Sequence, residues 1–170
     1  MKRVFAYFLV ATICFGGIMS LIIQNFSLGM TSGLIFGSLN TLFNGTIHYV
    51  NSVKLGINPN APLKAKKELI VAMPENEAIQ ACREALDQLE NIRTVKQEEK
   101  HRITATTEAS LMTLGESMSC EFTRHEAEQT RVSIISKPKL STTMIDDRSS
   151  HKNLQRLAAA LPREKVISQK

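Results

Sequence analysis

The sequence is poor in the residues that small folded domains often use for cross-links and chemistry. It has no tryptophan, only two tyrosines and three cysteines among 170 residues. An odd number of unpatterned cysteines favours a reducing compartment over a disulfide framework. No glycine-rich phosphate loop, Cys-x-x-Cys, His-Glu-x-x-His or Gly-x-Ser-x-Gly motif occurs. We therefore predict no catalytic residue, no metal site and no cofactor, and we do not expect an enzyme.

Charge is missing from a long N-terminal stretch. Residues 4–53 contain no Asp, Glu, Lys or Arg, so all 16 acidic residues lie further along the chain. Six basic residues flank this stretch: Lys2, Arg3, Lys54, Lys64, Lys66 and Lys67. After position 67 the chain has the other 15 of its 21 basic residues and all 16 of its acidic residues, so the charges there nearly cancel. The pI of about 9.2 therefore reflects the flanks and does not indicate a nucleic-acid partner.

The uncharged stretch predicts two transmembrane helices in a hairpin, over residues 4–23 and 28–50. Each run has the roughly 20 residues that cross a hydrocarbon core as a helix. A cleaved signal peptide is the alternative for the first run, but the run exceeds the usual apolar region and lacks a small-x-small cleavage site. The basic flanks predict a two-pass protein with both termini in the cytoplasm.

Small residues recur every four positions in the second predicted helix. This helix-packing ridge consists of Gly29, Gly33, Gly37, Thr41 and Gly45. Such a ridge lets two helix backbones approach closely. It can pack against Gly16, Gly17 and Ser20 of the first helix, or it can form the interface of a homo-oligomer.

A polar ridge runs beside the small one and consists of Asn40, Asn44 and His48. Polar groups inside a membrane need partners or water. These three residues therefore predict hydrogen bonds between the helices or, alternatively, the lining of a hydrated path.

The remaining chain predicts an α+β domain. A basic linker over residues 54–67, broken by Gly56, Pro59 and Pro62, precedes a cytosolic domain over residues 68–161 and a flexible tail over residues 162–170. Alternating and helical periodicities give the order β-α-β-β-β-β-α. This order implies a mainly antiparallel sheet with two helices on one face.

One polar segment after the last strand is a candidate anion-binding site. It contains Lys137, Lys139, Ser141, Thr142 and Thr143, and it precedes the N-terminus of the final helix. Asp146 and Asp147 would repel an anion, so a plain connection with helix caps is the alternative.

The soluble part resembles a class of small uncharacterised bacterial membrane-anchored α+β domains. The residues that carry the resemblance are Leu114-Gly115-Glu116-Ser117, Thr130-Arg131-Val132, the run from Ser136 to Thr143, Asp146 and Asn153. Members of the class tend to have Gly-Lys-Asn where this chain has Arg148-Ser149-Ser150. The resemblance implies a bacterial inner (plasma) membrane and a compact α+β fold, but no activity.

Together these features predict a non-enzymatic, membrane-anchored binding or regulatory module. Its expected partners are membrane lipids, a membrane protein, or further copies of itself. The alternative is a small oligomeric channel or transporter subunit with the second helix at the protomer interface. An enzyme acting on a membrane lipid is the third hypothesis.

Overall fold

The computed structural model describes residues 2–110, 112–126, 128–162 and 166–169. Two helices come first and are followed by a mixed α+β region. The elements in chain order are α1 (Lys2–Ile23), α2 (Phe26–Lys54), β1 (Ala65–Val71), α3 (Glu75–Asp87), β2 (Ile92–Glu99), β3 (Arg102–Thr107), β4 (Glu116–Glu126), β5 (Gln129–Pro138), α4 (Ser149–Ala160) and β6 (Val166–Gln169).

The chain divides into two compact units. The helical unit comprises residues 1–61 together with residues 142–148, and the sheet unit comprises residues 62–141 and 149–170. The sequence assigned residues 68–161 to a single domain. The structure instead groups residues 142–148 with the helices, because Asp146 and Arg148 make buried contacts there.

The helical unit is a pair of closely packed helices. The turn between them begins at Gln24, whose φ is 55°, and the Asn25 side chain then caps α2 by accepting a hydrogen bond from the Leu28 amide. The packing is so close that a Cβ added to Gly33 would lie 2.5 Å from the Gly16 Cα. Glycine is therefore required where the two backbones meet.

Among the described helices, α1 alone is long and apolar enough to cross a membrane by length and composition. The predicted second span forms a longer helix than expected and ends at Lys54. This helix does not reach the same apolarity, because glycines, hydroxyl residues and three asparagines dilute its apolar side chains.

The sheet unit contains a six-stranded antiparallel sheet in the order β2-β3-β4-β5-β1-β6. The predicted α+β class and antiparallel pairing are confirmed. Within the tail that was predicted to be flexible over 162–170, residues 166–169 form the edge strand β6 beside β1. Positions 163–165 and 170 of that tail lie outside the described residues.

Helices α3 and α4 pack against one face of the sheet. Leu86 and Leu157 from the helices are fully buried with Leu69, Met118 and Ile134 from the strands. Alternate strand residues supply this core because successive side chains point to opposite faces. The other face of the sheet carries polar side chains and is not covered by these helices.

Candidate functional site

The uncovered face of the sheet holds a polar groove of about 390 Å³. We call it the sheet groove. Its floor consists of Thr104, Thr106, Ser117 and Ser119, with Ile135 beside them, and its rim includes Lys64, Lys96, Lys137, Arg102, Glu98 and Glu121. All of these residues belong to the sheet unit.

Strand register places the floor residues in two rows across the sheet. In one row Ser117 of β4 lies opposite Thr106 on one side and Lys137 on the other. In the next row Ser119 lies between Thr104 and Ile135. Short side chains stand at the centre of both rows, so the sheet surface is depressed there.

The hydroxyls on the floor are not all engaged. Thr94 and Thr106 share a hydrogen bond of 2.7 Å, and Thr104 donates to the Glu98 carboxylate at 3.0 Å. Within the described part of the chain, the Ser117 and Ser119 hydroxyls make no hydrogen bond to protein, and both side chains are half-buried. They are therefore available to a ligand or to water.

The acidic residues on the rim are both directed at a single arginine. Arg102 Nε lies 3.8 Å from a carboxylate oxygen of Glu98 and 3.8 Å from one of Glu121. The three rim lysines Lys64, Lys96 and Lys137 make no ion pair with any residue that the structure describes. The groove therefore carries an excess of positive charge.

The five residues of the predicted anion site are divided between the two units. Lys137 lines the sheet groove. Lys139 Nζ instead donates to the Thr107 carbonyl oxygen at 3.0 Å and secures the loop before β4. Ser141 is the last residue before the chain leaves the sheet unit, whereas Thr142 and Thr143 belong to the helical unit.

A buried polar cluster lies at the start of β4 in the sheet unit. The Glu116 side chain is 2 % exposed, and its carboxylate accepts hydrogen bonds from Thr107 at 2.9 Å, Thr113 at 3.1 Å and Asn153 at 3.4 Å. Asn91 in turn donates to Asn153 at 3.2 Å. Each of these bonds satisfies a polar group that burial would otherwise penalise, so the cluster ties α4 to the sheet.

In the helical unit, the ridge of small residues faces α1. A Cβ at Gly29 would lie 2.1 Å from Ser20 Oγ, and one at Gly37 would lie 2.2 Å from Thr12 Oγ1. A Cβ added to Gly45 would lie 3.2 Å from the Val4 side chain. The structure thus places the ridge within one helix pair.

The polar ridge of α2 also finds partners within the unit. Asn40 donates to the Tyr7 hydroxyl at 2.9 Å, and Asn44 donates to the Asn40 backbone carbonyl oxygen at 3.0 Å. His48 has its Nδ1 atom 2.8 Å from the Asp146 carbonyl oxygen and its Nε2 atom 3.0 Å from that of Pro59.

Arg148 is the centre of this unit's buried polar cluster, and sequence reasoning missed it. Its side chain is fully buried. Its guanidinium donates to Ser52 Oγ at 2.8 Å and to the carbonyl oxygens of residues 58, 59 and 61. Burial lowers the pKa of Arg148, while the Asp146 carboxylate opposes that effect.

A second cavity, of about 450 Å³, lies in the helical unit and is mainly apolar. Val4 and Phe8 of α1 line it together with Leu42 and Tyr49 of α2. Among the described residues, no group of three His, Cys, Asp or Glu side chains is arranged to hold a metal ion. The sheet groove is therefore the strongest candidate for binding a polar ligand.

Comparison with known proteins identifies no sequence relative. No family model and no curated protein matches this chain. Solved structures with partial similarity include the di-domain ARO/CYC BexL from the BE-7585A biosynthetic pathway, with a TM-score of 0.41, 15 % identity and coverage of 58 % of this chain and 44 % of that one. A START superfamily protein from Mycobacterium smegmatis gives a TM-score of 0.41, with 11 % identity and coverage of 58 % and 93 %. These scores are too low to indicate a shared ligand or activity.

Proposed function

We propose that this protein is a membrane-anchored binding module. In this proposal α1 and α2 cross the membrane as a two-pass hairpin, both termini are cytoplasmic, and the sheet unit binds a polar ligand in the sheet groove. The membrane is the inner membrane of a bacterium. The module performs no catalysis.

One observation carries the anchoring proposal, namely the distribution of exposed apolar side chains. All but three of the exposed large hydrophobic residues in the described chain lie between Phe5 and Val53, and Leu21, Phe26 and Leu42 are among the most exposed of them. Exposed apolar surface of this extent is typical of contact with lipid or with another protein. Because the surface lies on both helices and no charge interrupts it, lipid is the better match.

The channel hypothesis has less support than the binding module. The glycines that suggested an oligomer interface contact α1, and the asparagine amides that suggested a hydrated path bond to Tyr7 or to α2 itself. Both features are thus accounted for by the packing of a single hairpin. Neither one calls for a second protomer.

Membrane fractionation of the full-length protein in a bacterial host tests the anchor. We expect the protein to remain in the membrane pellet after alkaline carbonate extraction, as integral proteins do. Release into the supernatant would contradict the anchoring proposal.

Reporter fusions test the two-pass topology. At the C-terminus of the full chain, we expect a green fluorescent protein, which works in the cytoplasm, to be active and an alkaline phosphatase to be inactive. An alkaline phosphatase joined after Ser27 is expected to be active, because the turn between α1 and α2 lies on the opposite side. The reverse pattern would contradict the proposed orientation, and activity of phosphatase at both positions would indicate a single span.

A further inference from the structure

We propose that the ligand of the sheet groove bears a phosphate group, held by Lys96 and Lys137 over the hydroxyls of Ser117 and Ser119. This inference rests on the proposed function, since it names the ligand of the same groove.

The charge in the groove favours an anion. Among its lining residues, Glu98 and Glu121 both approach Arg102. The three rim lysines make no ion pair within the described chain. An anion entering the groove therefore meets cations that do not have to give up an existing partner.

The positions of two lysines suit a ligand bound between them. Lys96 on β2 lies opposite Thr104 of β3, and Lys137 on β5 lies opposite Ser117 of β4. These strands are three spacings apart, which is about 14 Å at the usual strand separation. Flexible four-carbon stems let both ammonium groups lean inward over the serines.

The chemistry of the groove matches phosphate. Lysine binds phosphate as a point charge with three donors, and serine hydroxyls add further donors to phosphate oxygens. The lining side chains are polar or aliphatic, so the described groove offers no ring for stacking a nucleotide base. A volume of about 390 Å³ suits a small phosphomonoester more than a macromolecular surface.

A neighbouring lysine on the same sheet face does form an ion pair, so unpaired lysines are not a general feature of this face. Lys66 projects from β1 on the same face and lies outside the groove lining, where it pairs with Glu68 at 2.8 Å. Lys64, Lys96 and Lys137 line the groove and have no such carboxylate. Uncompensated positive charge is therefore concentrated where the sheet surface is depressed.

The test uses full-length protein in nanodiscs of zwitterionic phosphatidylcholine, titrated with glycerol 3-phosphate by isothermal calorimetry. We expect saturable binding that weakens with added salt. The double variant Lys96→Gln/Lys137→Gln should lower affinity at least about tenfold, because both lost contacts are charge-assisted. Ser117→Ala/Ser119→Ala should lower it less.

The matched control is Lys66→Gln/Lys100→Gln, which removes the same net charge from lysines outside the groove lining. We expect its affinity to stay close to that of the parent protein. An equal loss in the control pair, or no saturable binding of glycerol 3-phosphate at millimolar concentration, would overturn the proposal.

A second arm distinguishes a lipid headgroup from a soluble phosphate compound. Phosphatidic acid is added to the nanodisc, and the titration with glycerol 3-phosphate is repeated. If phosphatidic acid abolishes the binding of glycerol 3-phosphate, and this competition requires Lys96 and Lys137, the phosphate group comes from a lipid headgroup. If the binding of glycerol 3-phosphate is unchanged, the ligand is a soluble phosphate compound. Failure to bind phosphate by protein that resists carbonate extraction would refute the ligand while leaving the anchor intact.

Discussion

The two units of this protein differ in how their polar side chains are bonded. In the helical unit, several interior polar groups bond to one another, as Asn40 does to Tyr7 and Arg148 does to Ser52. On the uncovered face of the sheet unit, lysines and serine hydroxyls have no described partner. Hydrogen bonds within the fold stabilise packing, whereas unpaired polar groups at a surface are available to a ligand.

This contrast extends to the apolar side chains. The sheet unit buries them between α3, α4 and one sheet face, as water requires of a domain with its own core. The helical unit exposes them, with Leu21 81 % and Phe26 74 % accessible. This difference is the observation on which the proposed anchoring by one unit and the proposed binding by the other both rest.

The largest expected effect is from removing the buried charge of the helical unit. Arg148→Met keeps the volume but leaves Ser52 and three backbone carbonyl groups without their donor. Breaking such a buried network costs on the order of 3–5 kcal/mol. We expect a lower Tm in detergent and faster hydrogen exchange over residues 55–61, whereas Arg156→Met on the exposed side of α4 changes neither. Unchanged exchange in that loop would contradict the role of Arg148.

Close packing of the helices gives the next largest effect. Gly33→Ala places a methyl group 2.5 Å from the Gly16 Cα, so the backbones must separate. Overpacking of this kind costs about 1–3 kcal/mol. Gly17→Ala is the matched control, because its added Cβ meets nothing within 4 Å. Thermal unfolding of both variants in detergent measures the difference, and equal Tm values would mean that the ridge does not pack against α1 in solution.

In the sheet unit, Glu116→Gln tests the buried cluster at the start of β4. The carboxylate accepts from Thr107, Thr113 and Asn153, whereas an amide brings two donors of its own toward those groups. We expect a loss of about 1–3 kcal/mol, measured as a reduced denaturant midpoint. Glu90→Gln at an exposed position should leave the midpoint where it is. A stabilised Glu116 variant would show that the carboxylate is kept for something other than packing.

The smallest effect concerns reactivity alone. The contact with Cys82, together with burial, raises the pKa of the Cys120 thiol well above its ordinary range. Little thiolate is therefore present even at a pH of about 8.5, the ordinary value for cysteine. N-ethylmaleimide should spare the buried Cys82 and Cys120 until the protein unfolds. Mass spectrometry of the labelled peptides measures this, and labelling of Cys120 in folded protein would contradict the buried pair.

Much of the sheet unit was predictable, because its strands alternate between apolar and polar residues. In β4, Met118, Cys120 and Phe122 alternate along the sequence with Ser117 and Ser119, and the structure buries the first three while the two serines remain half-buried. Strand β6 was missed since four residues near a chain end carry little pattern of their own, and only pairing with β1 stabilises them.

The candidate site was predicted only in part. Lys137 was chosen for its neighbours in sequence, yet it lines the groove beside residues from three other strands. Lys64 and Lys96 are distant from it along the chain, and no local signal connects them. Arg148 was missed for the same reason, because its partners lie at positions 52 to 61.

The sequence by itself determined the uncharged N-terminal stretch, its helix-packing ridge and the alternation of the strands. These are local properties, set by side-chain chemistry at periods of two and nearly four residues. Tertiary structure alone decided which lysines share a groove, which arginine is buried and where residues 142–148 belong. Those outcomes depend on strand register and loop closure, which bring together residues that no periodicity relates.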